Sequence, residues 1–162
     1  MKKTFLKNKK NIQFLIIGLG LIGGSVAKRL SKNGFEVLAI DKKKSHLNHA
    51  KKSKIITGSL EKIDSTKKLF VIVALPPKIL LRNFDKYLDL FHKADFVTDC
   101  TSVKGPLINI IKKNRLESKF ILSHPIAGSE KSGFLNSNED LFRDKISIIS
   151  KHRGLATSTL QK

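Results

Sequence analysis

A chain of 162 residues with 40% hydrophobic residues can bury the core of one domain, which argues against global disorder. Its single cysteine, Cys100, excludes an intrachain disulfide and favours a reducing compartment, so we expect a cytoplasmic protein. The net charge of +19 suits a nucleic-acid partner. However, lysine greatly outnumbers arginine and tryptophan is absent, so we favour a lysine-rich solvated surface and expect no specific nucleic acid.

The chain begins with a basic, polar lead-in, which we place at residues 1–11. Together with the apolar residues 14–22 it resembles a secretory signal peptide, but cleavage there would remove the first predicted strand and the glycine-rich turn after it. No apolar run approaches the ~20 residues of a transmembrane helix, so we expect no membrane partner.

A glycine-rich turn, residues 18–24, separates a predicted buried strand at Ile12–Ile17 from a predicted helix at Ser25–Asn33. A second strand is predicted at Phe35–Ile40 and ends at an acid, Asp41. Strand, glycine turn, helix, strand and acid in this order are typical of a dinucleotide-binding site, whereas a bare glycine triplet would equally suit a flexible loop.

The glycines of this turn have different expected roles. Gly18 permits the tight turn, Gly20 lets the backbone approach a pyrophosphate, and Gly23 allows helix and strand to pack closely. The helix N-terminus would offer free N–H groups to the phosphates, and Asp41 would accept hydrogen bonds from a ribose hydroxyl. The predicted dinucleotide contacts of this region are Gly18, Gly20, Leu21, Ile22, Gly23 and Asp41.

The remainder of the chain alternates between apolar strands and helices. Further strands are predicted at Ile55-Ile56, Leu69–Leu75, Phe96–Asp99, Phe120–Leu122 and Lys145–Ile149. Further helices are predicted at Lys43–Lys52, Lys78–Phe91 and Pro106–Lys113. The alternation predicts an α/β fold with a doubly wound, mostly parallel sheet of the Rossmann type and helices on both faces. We assign residues 12–150 to this domain and residues 151–162 to a polar tail.

In a sheet of this kind, ligands bind beyond the carboxyl ends of the strands. The unusual residues of this chain follow predicted strands, so they should meet at that edge. They comprise the glycine turn, Asp41, Leu75 to Pro77, residues 99–104 and residues 124–133. The sequence therefore predicts a ligand site at this edge of the sheet.

Two further motifs lie in these loops: Asp99-Cys100-Thr101-Ser102-Val103-Lys104 and His124-Pro125-Ile126-Ala127-Gly128-Ser129-Glu130-Lys131-Ser132-Gly133. With the glycine turn, they resemble the nucleotide-binding domain of the prephenate and arogenate dehydrogenases over about residues 12–150. The resemblance implies NAD(P)-dependent oxidative decarboxylation of an anionic substrate, prephenate or arogenate, in tyrosine biosynthesis. A hydride leaves the ring carbon that bears the 4-hydroxyl, the hydroxyl proton passes to a base, and the ring carboxylate leaves as carbon dioxide.

The resemblance assigns catalytic roles to two residues. His124 matches the family's catalytic histidine, which contacts the substrate 4-hydroxyl, and Ser102 matches the serine that bridges this histidine, the substrate and the nicotinamide. An imidazole titrates near neutral pH, which suits a base. From the residues alone, His124 could instead order the turn before Pro125, and Ser102 could cap the helix that follows it.

Other residues of the predicted site follow from the same resemblance. Ser129 and Glu130 match a loop that lines the substrate pocket, although Glu130 could equally be a solvated turn acid. Leu75 and Pro76 are expected beside the nicotinamide. Lys104 could neutralise a phosphate or carboxylate, or lie in solvent. No metal site is predicted.

The cofactor preference depends on Asp41. A carboxylate at this position favours NAD, because it would repel the 2′-phosphate of NADP. Lys42 to Lys44 follow immediately and could bind that phosphate instead, so NADP stays open.

Family members usually continue into an all-helical domain that dimerises and supplies substrate-binding residues. Residues 151–162 are too few to form it, so we expect this C-terminal helical domain to be absent. A homodimer or a partner chain that supplies the missing domain is then conceivable. The alternatives are a catalytically impaired dinucleotide-binding module that acts with a partner chain and, less favoured, a basic nucleic-acid-binding protein.

Overall fold

A computed structural model describes residues 8–128 and 130–150 of the chain. Six strands form one sheet: β1 (Ile12–Ile17), β2 (Glu36–Ile40), β3 (Lys68–Val73), β4 (Phe96–Asp99), β5 (Phe120–Pro125) and β6 (Ser147–Ser150). Five helices connect them: α1 (Leu21–Lys32), α2 (Lys44–Lys52), α3 (Pro77–Arg82), α4 (Leu88–Lys93) and α5 (Gly105–Lys113). The strand order is β2-β1-β3-β4-β5-β6, and only β6 runs antiparallel to its neighbour, so the predicted Rossmann-type fold is confirmed.

Helices pack against both faces of the sheet, because successive residues of its central strands are apolar on both sides. On one face, Leu15, Val71 and Val97 belong to a core that contains side chains of α3, α4 and α5. Three phenylalanines at its centre have ring centroids 5.1 to 6.0 Å apart: Phe84, Phe91 and Phe120. On the other face, a smaller core forms between β1, β2, α1 and α2.

The carboxyl ends of the five parallel strands lie level with one another. Ile17 of β1 pairs with Ile40 of β2 and Val73 of β3, and the same line continues through Asp99 of β4 to Leu122 of β5. Every loop that was expected to carry function therefore leaves the sheet from one edge, which we call the rim.

Several predicted boundaries were wrong. Helix α1 begins at Leu21, four residues before the predicted start, because the first turn winds directly from the glycine segment. The helix predicted at Lys78–Phe91 is broken at Asn83, whose side-chain amide donates to the carbonyl of Ile79 at 2.8 Å and ends α3.

The third predicted strand, Ile55-Ile56, was also wrong. The backbone N–H of Ile55 donates to the carbonyl of Ala50, so Ile55-Ile56 belongs to the turn that follows α2. The contact with β2 is made by the next residue, Thr57. The last strand lies at Ser147–Ser150, two residues beyond the predicted start.

The α1 side of the sheet is open over β3 to β6. Three aromatic rings lie in a row there, with successive centroids 5.4 Å apart: Phe14, Phe70 and Phe96. They form the floor of an apolar cleft of about 400 Å³. Within the described ranges, no helix is long and apolar enough to cross a membrane.

The glycine turn is fixed by a close contact between its two ends. Gly18 has φ +96°, a conformation that side-chain-bearing residues rarely adopt. A Cβ atom on Gly23 would lie 1.9 Å from the carbonyl oxygen of Gly18. Helix α1 can therefore start against the turn only if residue 23 has no side chain.

We expect Gly23→Ala to destabilise the fold by roughly 1–3 kcal/mol, because the added methyl group must displace α1 or the turn. Urea unfolding followed by circular dichroism measures this loss. Gly20→Ala is the matched control, since no described atom lies within 4 Å of a Cβ at that position. Equal destabilisation by the two substitutions would contradict the packing argument.

Candidate dinucleotide groove and rim histidine

A groove of about 1110 Å³ follows the rim beside β1, β2 and β3. Its lining includes the predicted residues Gly18, Gly20, Asp41, Leu75 and Pro76. The structure therefore brings these five predicted positions together in one groove. A groove of this size slightly exceeds the usual range for small-molecule sites, about 300–1,000 Å³.

Gly20 faces open space in this groove. Its backbone angles, φ −78° and ψ −156°, are accessible to any residue, so the local conformation does not require glycine. A Cβ on Gly20 would meet no described atom within 4 Å and would project into empty volume. The position therefore fits a bound group that approaches the backbone closely.

The first turn of α1 is suited to an anion. Gly20 is its N-cap, no described side chain caps the helix, and the first turn contains no acidic residue. Leu21 and Ile22 are half-buried and begin the helix. The free N–H groups and the positive end of the helix dipole thus lie next to Gly20, which lines the groove, and the helix turn itself contributes no competing carboxylate.

Asp41 holds the glycine turn in place. One oxygen of its carboxylate, Oδ2, accepts a hydrogen bond from the backbone N–H of Leu19 at 2.6 Å. The other, Oδ1, accepts from the N–H of Lys43 at 2.7 Å and lies 3.5 Å from Nδ1 of His46. Only 9% of the Asp41 side chain is exposed, so its charge is fixed at the groove wall.

The imidazole of His124 lies at the same rim, on β5. Its Nδ1 is 3.3 Å from the carbonyl oxygen of Cys100. Because a carbonyl oxygen only accepts, this bond requires the proton on Nδ1 and leaves a lone pair on Nε2 of the neutral ring. The arrangement can accept a proton at Nε2.

Lys104 and Asp99 form a buried ion pair next to this histidine. Asp99 is fully buried, and 14% of the Lys104 side chain is exposed. The Lys104 ammonium lies 2.5 Å from Asp99 Oδ2 and donates to the carbonyl of Ser123 at 2.7 Å. The interpretation of Lys104 as a solvated lysine is therefore wrong, and the carboxylate that it neutralises is that of Asp99.

Ser102 has an exposed side chain and forms no hydrogen bond to the described residues. The interpretation of Ser102 as a helix cap is wrong, because α5 begins at Gly105 and its N-cap is Lys104. Cys100 is partly buried. Burial and the neighbouring Asp99 raise the pKa of its thiol to about 12, so it stays protonated at neutral pH.

The rim thus divides into two regions. The groove lining does not include His124, Ser102 or Glu130. His124 lies in β5, whereas Ser102 follows β4 and Glu130 follows β5. The glycine turn, in contrast, follows β1. Glu130 is exposed, and Ser129 lies outside the described residues. Across residues 8–128 and 130–150, no three His, Cys, Asp or Glu side chains gather as a metal site would require.

Several residues of the groove were missed from the sequence, among them residues with ionisable rings. His46 and Tyr87 line it from α2 and from the turn before α4. Nδ1 of His46 is buried and has no hydrogen-bond partner among the described residues. Neither residue stands in a recognisable motif, so the sequence carried no signal for them.

Comparisons with known proteins agree with this geometry. The sequence model of the family described as "Prephenate dehydrogenase, nucleotide-binding domain" matches residues 26–161. The prephenate dehydrogenase of Lactococcus lactis subsp. cremoris (strain MG1363) is 30% identical over 145 residues, which are 86% of this chain and 41% of that protein.

Two solved structures are similar over 92% of the chain. Prephenate dehydrogenase from Aquifex aeolicus, in complex with hydroxyphenyl propionate and NAD+, has a TM-score of 0.74 and 28% identity, with 54% of its length covered. Arogenate dehydrogenase from Synechocystis has a TM-score of 0.75 and 25% identity, with 53% covered. The chain spans about half the length of these relatives or less. It belongs to the prephenate dehydrogenase family, through the nucleotide-binding domain of that family.

Proposed function

We propose that this chain binds NAD along the groove and takes part in the oxidative decarboxylation of prephenate or arogenate, a step of tyrosine biosynthesis. The observation that carries the proposal is the shared rim, which holds both an open glycine turn and a histidine whose Nδ1 contact with a carbonyl leaves the lone pair of the neutral ring on Nε2. Three strand spacings separate β1 from β5, a distance of about 14 Å.

The groove residues fit a dinucleotide. The first turn of α1 would receive the pyrophosphate, and the space over Gly20 leaves room for its close approach. Asp41 would face the adenosine ribose, and Leu75 and Pro76 would flank the nicotinamide. Bound NAD would accept the hydride that the substrate ring carbon loses.

The residues at the carboxyl ends of β4 and β5 would contact the substrate. Nε2 of His124 would accept the proton of the substrate 4-hydroxyl as carbon dioxide leaves and the ring becomes aromatic. The exposed hydroxyl of Ser102 can donate and accept at once, which suits a bridge between substrate and cofactor. Ser129 and Glu130 would line the substrate side of the rim.

Asp41 also supports NAD over NADP. Its carboxylate is anchored by two backbone N–H groups and cannot swing away from a 2′-phosphate without losing those bonds. Lys42 and Lys43 line the groove too, so NADP is expected to bind more weakly rather than to be excluded.

A catalytically impaired module that acts with a partner surface is the second candidate function. Ile126, Ile146 and Ile148 are exposed beside His124, since Ile148 pairs with His124 and Ile126 bonds Ile146. Exposed apolar side chains around a polar centre favour burial by another domain or subunit. Such a surface, in a homodimer or a partner chain, would complete the substrate site.

We expect Gly20→Ala to weaken NAD binding by roughly tenfold or more, which corresponds to ~1.4 kcal/mol, because the methyl group occupies the space for the pyrophosphate. Isothermal titration calorimetry with NAD and NADP measures the affinities. Gly128→Ala is a matched control, because it also has open space around its Cβ but lies outside the groove. Unchanged NAD affinity in the Gly20 variant would contradict the placement of the cofactor.

We expect the wild-type chain to bind NAD and to reduce it slowly or not at all when prephenate or arogenate is added. His124→Asn should leave NAD affinity within about twofold and lower any reduction rate by roughly 10²–10⁴-fold, since the proton acceptor is lost. Calorimetry and the absorbance of reduced nicotinamide give the two quantities. A full rate from the purified monomer would contradict the need for a partner surface, and an undiminished rate in the variant would contradict the role of His124.

A further inference from the structure

The regular hydrogen bonding between β4 and β5 stops just before His124. The last residue pair of the parallel ladder is Asp99 with Leu122. Beyond it, Ser123 and His124 are connected to the β4 side by side-chain contacts. The hydroxyl of Ser123 donates to the carbonyl of Asp99 at 2.7 Å, and Lys104 donates to the carbonyl of Ser123 at 2.7 Å.

The ammonium of Lys104 makes two contacts within the protein itself. It joins the buried carboxylate of Asp99 to the backbone of the next strand. Asp99 Oδ2 also accepts from the N–H of Thr101 at 3.0 Å and from its hydroxyl, whereas Oδ1 has no partner among the described residues. The carboxylate is therefore held on one oxygen, and Lys104 is its ion-pair partner there.

A buried ion pair is a weak source of net stability, because both charges must leave water. This pair does have a definite geometric effect. The carbonyl that Lys104 holds belongs to the peptide unit between Ser123 and His124, so the contact orients the backbone from which the imidazole projects. The Cys100 carbonyl that meets Nδ1 of His124 directly follows Asp99, the other end of the pair.

We propose that Lys104 and Asp99 act as a positioning clamp that holds the His124 ring against the Cys100 carbonyl and thereby keeps the proton on Nδ1. The clamp touches neither the groove nor the proposed reacting atoms, so both members are positioning residues. Its catalytic meaning rests on the proposed function of His124, since only a histidine protonated on Nδ1 presents Nε2 as a proton acceptor.

Nitrogen NMR of the histidine side chains in the cofactor-free chain tests the clamp, because the two ring nitrogens report the tautomer directly. The His124 signals are assigned by their loss in a His124→Gln variant. The test variant is the double substitution Asp99→Asn with Lys104→Met, which removes both charges and leaves no lone buried carboxylate. Lys112→Met is the control, because it removes an exposed lysine from α5, the helix whose N-cap is Lys104.

We expect the wild-type chain and the Lys112 control to show His124 protonated predominantly on Nδ1. In the double variant, the Nδ1 and Nε2 signals should move towards each other as both tautomers become populated. A folded double variant with unchanged His124 signals would overturn the proposal. Should the double variant not fold, Lys104→Gln replaces it, because this variant keeps a donor for Asp99 but loses the ammonium that bridges to Ser123. Signals of His124 that move towards each other would then support the clamp, and unchanged signals would overturn it.

The same samples separate this inference from the proposed function. Titration of the wild-type chain with NAD addresses the groove, whereas the imidazole signals are recorded without cofactor. Absence of NAD binding would overturn the proposed function and leave the tautomer result valid. Normal NAD binding with unchanged imidazole signals in the variants would overturn the clamp alone.

Discussion

The close approach of Gly23 to the carbonyl of Gly18 is the contact on which the rest of the rim depends. It sets where α1 starts, and this start decides which way the first-turn N–H groups point. Asp41 then ties the turn to the end of β2 through the N–H of Leu19. The absence of a side chain at Gly23 and the carboxylate of Asp41 together fix the backbone surface that a phosphate could approach.

Much of this organisation could be predicted from the sequence. Ile12–Ile17 and Phe96–Asp99 were placed to the residue, because buried parallel strands are short apolar runs with polar or glycine residues after them. Level strand ends then follow from a parallel sheet, so that Gly20, Asp41 and His124 had to emerge at one edge. The motifs and their order indicated the family, and the comparisons confirmed that family.

The features that could not be predicted depend on specific hydrogen bonds and strand pairings, which a pattern of hydrophobic residues does not specify. The antiparallel direction of β6 is set by its pairing with β5, and its isoleucines, Ile148 and Ile149, are half exposed. The break in the helix predicted at Lys78–Phe91 depends on a local amide contact that apolar spacing does not encode. Lys104 could not be assigned because its partners lie five and nineteen residues away.

The position of Tyr87 gives the protein a built-in optical reporter. It is the sole tyrosine of a chain that lacks tryptophan, and its ring lines the groove. Partial burial raises the pKa of its phenol, so the ring remains neutral into mildly alkaline solution. Tyrosine fluorescence from the unlabelled protein therefore originates at one wall of the groove, and a ring that stacks there is expected to quench it.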